Sequence, residues 1–196
     1  MKKVLISIIF SVLSLSSIAQ LLLTQLVPMT GTTRITQMQK NISELKETTF
    51  RFPCGDSIGT GYYIAQGFQD PKYNGGTHLG IDINGLGGGD SDLGDTIYSI
   101  GNGIVARTAI DETYLAIYYK HNGYLVKTIY YHCKDIFVTA SDYVYKGKPI
   151  ATIGNENGVY LAHLHLEIAS DTTLYFGAYG DPEGYLDPLS VLPFKK

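Results

Sequence analysis

The chain has 196 residues, which is enough for one domain with a substantial hydrophobic core. Its 18 acidic and 15 basic residues give a formal net charge of −3. No basic patch stands out along the sequence, so the composition argues against nucleic acid as a partner.

The first predicted element is a secretory signal peptide at residues 1–19. A charged start is followed by an apolar, serine-rich stretch, and Ser17 and Ala19 supply the small residues expected before a cleavage site. The sequence therefore predicts an exported protein of the periplasm, the cell envelope or the extracellular space. Leu21–Leu23 extends the apolar character beyond the predicted cleavage point. An uncleaved membrane anchor is therefore the alternative, and only in that case do we expect contact with a membrane.

A polar linker or arm is predicted at residues 20–50, because threonine and glutamine are frequent there and apolar periodicity is weak. Ile42 and Leu45 indicate a short helix within it, and Asn41 is a candidate to cap the start of that helix. We expect the arm to lead into a single domain at residues 51–196.

This domain has the sequence texture of an all-β fold. Glycine-rich punctuation recurs between short runs of Tyr, Ile, Val and Thr, and no long stretch has the 3.6-residue period of a helix. Asn122-Gly123 predicts a tight hairpin turn, because both residues accept positive φ. We therefore expect a compact antiparallel β-sheet or sandwich with short strands and Gly-rich loops. The predicted strands are Thr96–Ala106 with a break at Gly101–Gly103, Tyr114–Lys120, Tyr124–His132, Lys148–Ile153 and Leu161–Ala169.

Cys54 and Cys133 are the only cysteines in the chain. In an exported protein they could form a disulfide, and the alternative is two separate buried thiols. The sequence leaves both open, because it does not show the distance between the two residues.

The string His163-Leu164-His165-Leu166 places two imidazoles on one face of a predicted strand. Residues two apart in a strand share a face and lie about 7 Å apart at Cα, so two long imidazoles can converge on one site. The two leucines point to the opposite face and are predicted to pack in the core. A pair of hydrogen-bonded surface histidines is the alternative.

His78 and Asp82 form a second string with ligand chemistry, since imidazole and carboxylate suit zinc. In an extended chain, residues four apart are separated by about 13 Å, which is too far for one metal ion. The chain must therefore bend, and Gly80 lies at the place where a bend or bulge would turn both side chains to one point. An exposed histidine beside a turn aspartate is the alternative.

Other polar residues have less distinctive positions. His132 ends a predicted hairpin strand, where a lone histidine is usually structural, and it gains weight only from the other ligand-type residues. His121 is interpreted as a turn residue. Glu167 is predicted to face the same side as the two strand histidines, either to orient one of them or to form a salt bridge. Asp92 and Asp95 are interpreted as solvated residues of an acidic loop.

Three of these pieces occur together as His78-x-x-x-Asp82, Tyr130-x-His132 and His163-x-His165. In this order and rough spacing they resemble the LytM/lysostaphin-type zinc metallopeptidases, the M23 family. The resemblance extends over about residues 60–192. It also includes Gly94-Asp95-Thr96-Ile97-Tyr98-Ser99, Gly103-Ile104-Val105, His121-Asn122-Gly123-Tyr124, Val144–Gly154 and Leu186-Asp187-Pro188-Leu189.

The resemblance implies an exported zinc endopeptidase that cuts peptide bonds in peptidoglycan cross-links or stem peptides. It implies that His78, Asp82 and His165 bind one Zn²⁺ per chain and leave a fourth position open, as is usual for catalytic zinc. It also implies that His132 and His163 are catalytic, one as the general base and the other as the stabiliser of the oxyanion. The sequence does not say which does which. We expect a monomer.

The chain departs from the family pattern in three places. Val159–Ala162 stands where the family has a Ser/Thr-Gly element before His-x-His, which leaves substrate specificity open. Cys133 stands where the family favours Leu. The loop Gly85–Gly94 is longer and richer in glycine than usual, and we expect it to form a lid or a rim of the cleft.

Two other functions remain open at this point. One is a catalytically inactive LytM-like domain that binds the cell wall or activates another wall hydrolase. The other is a carrier domain of the lipoyl or biotinyl type, in which Lys120 near a hairpin tip would be the modified lysine. If the protein is an enzyme, a polar side chain of the arm such as Asn41 could also occupy the metal's open position.

Overall fold

The computed structural model describes residues 38–71, 76–109, 113–170 and 179–195, all within one unit of residues 37–196. The predicted signal peptide and residues 20–37 of the predicted arm lie outside the described residues. No helix in the described ranges has the length and apolar character needed to cross a bilayer.

Short antiparallel strands make up most of the described chain. They are β1 (Tyr62–Gln66), β2 (Thr77–His78), β3 (Gly80–Gly85), β4 (Thr96–Tyr98), β5 (Gly103–Ala109), β6 (Tyr114–His121), β7 (Tyr124–Tyr131), β8 (Cys133–Ile136), β9 (Tyr143–Val144), β10 (Pro149–Ile153), β11 (Leu164–Ala169), β12 (Tyr179–Gly180) and β13 (Tyr185–Leu186). Two 3-10 turns, η1 (Glu156–Gly158) and η2 (Pro188–Ser190), and a helix at residues 38–43 accompany them.

Eight strands form a large sheet in the order β1-β3-β11-β7-β6-β5-β9, with β13 paired to β11. A second sheet has the order β4-β10-β8, and β12 pairs with β2. Every strand pair in these three sheets is antiparallel. The predicted all-β antiparallel fold is therefore confirmed.

The predicted hairpin is present as β6 and β7. Asn122 and Gly123 connect these strands with φ of 51° and 83°, which is the left-handed pair expected of Asn-Gly in a tight turn. The strand predicted at Leu161–Ala169 is shorter than expected, since β11 begins at Leu164. His163 therefore precedes the strand and forms an isolated antiparallel bridge with Gly154.

The hydrophobic core lies between the large sheet and the three-stranded sheet. Ile81 and Ile83 of β3 belong to the same buried cluster as Ile97 of β4 and Ile153 of β10. Leu164 and Leu166 of β11 are also fully buried there, as their alternation with the histidines predicted. Each strand of the central region therefore has one face fixed by the core, which determines where its other face points.

Cys54 and Cys133 are two separate buried thiols, the second of the alternatives left open by the sequence. The Cys133 thiol donates a hydrogen bond to the carbonyl of Tyr130, with a distance of 3.4 Å. Burial raises the pKa of Cys133 to about 12 and also raises the pKa of Cys54.

The described part of the arm packs on the sheet away from the histidine strings. Thr48 N donates to the carbonyl of Lys120 at 3.0 Å, and Phe50 stacks on His121 at a centroid distance of 4.4 Å. His121 Nδ1 lies 3.0 Å from the carbonyl of Thr48, so the turn histidine is structural, as interpreted. The short helix covers residues 38–43, so Asn41 lies inside it and does not cap its start.

The position of Asn41 also bears on the suggestion that it blocks a metal site. Asn41 lines a groove together with residues that do not belong to the His/Asp strings, namely Glu44, Leu45, Lys46, Ile104 and Tyr143. The suggestion is therefore wrong for Asn41 in the arm as the structure describes it.

The chain changes sheets between His78 and Gly80. His78 ends β2, which pairs with β12, whereas Gly80 begins β3, which pairs with β1 and β11. A Cβ atom on Gly80 would overlap the carbonyl of Leu166 on the neighbouring strand. The predicted bend near Gly80 is thus present, and glycine is needed there for close approach of β3 to β11.

Gly80→Ala should lower the free energy of unfolding by about 1–3 kcal/mol or more, because the new methyl group must push β3 away from β11. Gly67→Ala is the matched control, since a Cβ there meets nothing within 4 Å. Denaturant unfolding of both variants checks this, and equal stability of the two would contradict the close-approach argument.

Candidate metal centre

Three neighbouring strands of the large sheet bring the ligand-type residues together. Asp82 of β3 is the direct cross-strand partner of His165 of β11, and His165 is in turn the partner of Tyr131 at the end of β7. His132 follows Tyr131, and His78 reaches the same place from β2. Residues distant in the sequence therefore meet because strand register puts them side by side.

One imidazole nitrogen of His78, one of His165 and one oxygen of Asp82 converge on a single point. His165 Nδ1 lies 2.8 Å from both Asp82 Oδ1 and His78 Nε2, and the distance from His78 Nε2 to Asp82 Oδ1 is 3.2 Å. Zinc bonds of about 2.0–2.2 Å place tetrahedral ligand atoms roughly 3.3 Å apart. A small outward movement of the three atoms would therefore accommodate the ion.

The second nitrogen of each histidine fixes which tautomer is present. His78 Nδ1 donates to the carbonyl of Gly67 at 2.8 Å, and His165 Nε2 donates to Glu167 Oε1 at 3.1 Å. A carbonyl and a carboxylate only accept, so the converging nitrogens of neutral histidines carry lone pairs. Two lone pairs and a carboxylate facing one point need a cation between them, which is the chemistry of a zinc site.

The pKa values of His165 and Asp82 also show that positive charge is stabilised at this point. Burial alone would lower the pKa of His165, but hydrogen bonds with Asp82 and Glu167 outweigh it and raise the value to about 9. Burial would raise the pKa of Asp82, but the hydrogen bonds with His165 and His78 hold it well below its usual range. A proton can thus stand in for a metal ion at this point.

Glu167 contacts His165 Nε2, as both sequence interpretations allow, namely orientation of the histidine or a salt bridge. Its side chain is fully buried, and burial is the largest effect raising its pKa while the hydrogen bond with His165 lowers it. Among the described residues, Glu167 Oε2 has no hydrogen-bond partner. A buried carboxylate held in this way would contribute to the charge balance of a bound cation.

His132 and His163 stand beside the three converging residues. Their ring centroids are 4.4 Å apart, and His163 Nε2 lies 3.9 Å from Asp82 Oδ1. His163 Nδ1 donates to the carbonyl of Leu161 at 2.7 Å, and His132 Nδ1 lies 2.6 Å from Glu156 Oε1. In both rings these contacts involve Nδ1, so the Nε2 atom remains available to a molecule bound in the cleft.

The surroundings of His132 depress its pKa to about 4. Burial is the largest cause and the neighbouring His163 the next, while Glu156 opposes them both through its hydrogen bond and its charge. At neutral pH the ring is uncharged, and its Nε2 is a lone-pair acceptor when Nδ1 carries the proton.

The loop before His163 forms an exposed apolar rim, residues Val159–Leu161. Their exposed fractions are 69%, 50% and 64%, and the Tyr160 ring lies 5.3 Å from the His132 ring. Asp90 in the loop Gly85–Gly94 accepts a hydrogen bond from the backbone of Ala162 at 2.7 Å. The Gly-rich loop is therefore hydrogen-bonded to the residue that follows this rim. This agrees with the expectation of a rim of the cleft rather than a lid.

Two acidic residues differ from the interpretation of a solvated loop. Asp92 is almost fully buried and accepts a hydrogen bond from Gly85 N at 2.9 Å. Asp95 accepts one from the hydroxyl of Tyr62 at 2.7 Å. Both carboxylates hold loops in place, which the glycine-rich sequence around them did not reveal.

Comparison with known proteins supports the same assignment of family. Residues 76–175 match the sequence model of peptidase family M23. The chain belongs to peptidase family M23. All five candidate site residues lie within the matched segment: His78, Asp82, His132, His163 and His165. No curated protein has a matching sequence.

Solved structures share the fold of this M23 domain. A chain of the SpoIIQ–SpoIIIAH pore-forming complex is 17% identical with a TM-score of 0.54, and the match covers 75% of this chain and 92% of that one. Lysostaphin, an antimicrobial peptidase from Staphylococcus simulans, is 19% identical with a TM-score of 0.51, and the match covers 72% and 54%. LytU is 26% identical with a TM-score of 0.50, and the match covers 68% and 86%. The M23 chain therefore spans about half of lysostaphin.

Glu167→Ala should weaken zinc binding by about 10–100-fold, because His165 loses the acceptor that selects its tautomer. Glu167→Gln keeps an acceptor without the charge and should weaken binding less. Competition with a chromogenic chelator measures both, with Glu44→Gln as the control, since that side chain is 63% exposed on the arm. Wild-type affinity in Glu167→Ala would contradict the orienting role.

Proposed function

We propose that this M23 protein is an exported zinc endopeptidase that hydrolyses peptide bonds in peptidoglycan cross-links or stem peptides. The observation that carries the proposal is the convergence of His78 Nε2, Asp82 Oδ1 and His165 Nδ1, each within 4.8 Å of the others. Membership of a peptidase family supports the peptidase activity. The family resemblance supports the substrate class, and the sequence of residues 1–19 supports export.

In the proposed reaction, His78, Asp82 and His165 would hold one zinc ion, and the bonds to Gly67 and Glu167 set the tautomers of the two histidines. When bound, zinc supplies a Lewis acid that polarises a carbonyl and lowers the pKa of water. His132 and His163 border that position, one to take up and return a proton and the other to stabilise the developing oxyanion.

The exposed rim of Val159–Leu161 is proposed to contact the peptide on either side of the cleaved bond. The rim lies against both catalytic histidines, since the Tyr160 ring is 5.3 Å from His132 and 6.3 Å from His163. Exposed apolar side chains bordering a polar cleft are typical of ligand contact. We further propose that the protein acts as a monomer, with peptidoglycan peptides as its partner.

Metal analysis and digestion of purified peptidoglycan test the proposal. The wild type should hold about one zinc per chain and release new amino groups, and His78→Ala and His165→Ala should lose both properties, with cleavage falling at least about 100-fold. His121→Ala is the control, because that histidine contacts Phe50 and Thr48 outside the site. Full cleavage by His165→Ala would overturn the proposed site.

A catalytically inactive domain that binds the cell wall or activates another hydrolase is the second candidate. It is favoured by the unusual rim before His163 and by the fold shared with a chain of a pore-forming complex. A wild type that takes up no zinc and releases no amino groups, yet sediments with peptidoglycan, would favour this candidate.

The carrier alternative has no comparable support. Lys120 lies in β6 opposite Leu125, and its carbonyl accepts a hydrogen bond from Thr48. The residues at the tip of this hairpin are Asn122 and Gly123, and neither can carry a lysine-linked group.

A further inference from the structure

One carboxylate beside the two catalytic histidines is absent from the family motifs described above. Glu156 lies in the 3-10 turn η1, in the loop that connects β10 to β11. Its Oε1 atom is 2.6 Å from His132 Nδ1 and accepts a second hydrogen bond from the hydroxyl of Thr113 at 3.3 Å. Residues from three separate segments therefore meet at a single carboxylate oxygen.

Backbone strain is concentrated at this meeting point. Among the described residues, seven other than glycine have positive φ, and four of them are Thr113 (56°), His132 (60°), Glu156 (48°) and Asn157 (58°). Such conformations are unfavourable for residues with a Cβ, and the surrounding structure must hold them in place. Strain at all three interacting residues points to a function for their contact.

The backbone also brings the loop to His132. Gly154 N donates to the carbonyl of His132 at 2.6 Å, and a Cβ on Gly154 would lie only 2.8 Å from that oxygen. Cys133 N donates to the carbonyl of Thr113 at 2.7 Å. These two bonds hold the backbone of the Thr113 turn and of the Glu156 loop close to His132, which limits the positions that the Glu156 side chain must reach from.

We propose that Glu156 is the positioning residue of His132 and makes His132 the general base of the proposed reaction. The inference rests on the proposed function. A carboxylate accepts only, so His132 Nδ1 carries the proton and Nε2 presents a lone pair to the cleft. His163 has only the uncharged carbonyl of Leu161 behind its Nδ1, so it lacks the carboxylate that would stabilise an imidazolium formed by proton uptake. To stabilise the oxyanion, His163 would donate from Nε2 with both ring nitrogens protonated.

The proton balance of this assignment is complete. His132 Nε2 takes a proton from water as the water oxygen bonds to the peptide carbonyl carbon, and Nε2 returns the proton to the leaving nitrogen as the C–N bond breaks. The Glu156 carboxylate stabilises the imidazolium between these steps.

Kinetics of zinc-loaded Glu156→Gln test the assignment. The amide keeps the shape and removes the charge, so kcat should fall about 10–100-fold, with KM within about twofold and zinc content unchanged. Glu156→Asp should recover part of the loss, and Thr113→Val should cost less than about fivefold. Glu44→Gln is the matched control on the arm. Unchanged kcat, or a loss of zinc in Glu156→Gln, would overturn the proposal.

Nitrogen-15 NMR of the His132 ring gives a readout that does not depend on cleavage. The wild type should show the Nδ1–H tautomer, and Glu156→Ala should show the Nε2–H form, because the bond that selects Nδ1–H is lost. An unchanged tautomer in an active, zinc-loaded variant overturns the inference and leaves the proposed function standing. If Glu156→Ala shows the expected tautomer change but the wild type cleaves nothing, the positioning role is supported, and the proposed function is overturned together with the general-base role.

Discussion

The pairing of β3 with β11 is the constraint on which the rest of the site depends. This pairing sets Asp82 directly opposite His165, and Gly80 allows the two backbones to approach where the chain turns away toward His78. The leucines of β11 are buried on the other face, so a one-residue slip would move the histidines into the core. Hydrophobic burial and ligand geometry therefore select the same register.

The sequence could predict the residues that follow strand periodicity or a recognisable motif. Alternation of histidine and leucine placed His165 opposite the core, and the distance between His78 and Asp82 required a bend at Gly80. The residue at which β11 begins was less predictable. His163 lies outside the strand because the preceding loop is held by hydrogen bonds of its own, which no alternation pattern shows.

Glu156 and Asp92 show why the loops were not predictable. Both lie in stretches rich in Asn, Asp or Gly, which is the usual composition of a solvated loop. The role of Glu156 depends on its left-handed backbone conformation and on a contact with the distant Thr113. The role of Asp92 depends on its burial and on the hydrogen bond that it accepts from Gly85 N. A weak sequence signal did exist, since the loop before His163 was one of the three places where the chain departed from the family pattern.

The two buried thiols have a consequence for handling and for chemistry. Cys133 follows His132 directly, yet burial raises its pKa to about 12, so the sulfur is a neutral thiol in the folded protein. Cys54 is protected by the same burial. Alkylating reagents attack thiolates, and they will therefore spare the folded protein and label molecules that have opened. Alkylation of these two cysteines therefore reports on unfolding without any engineered residue.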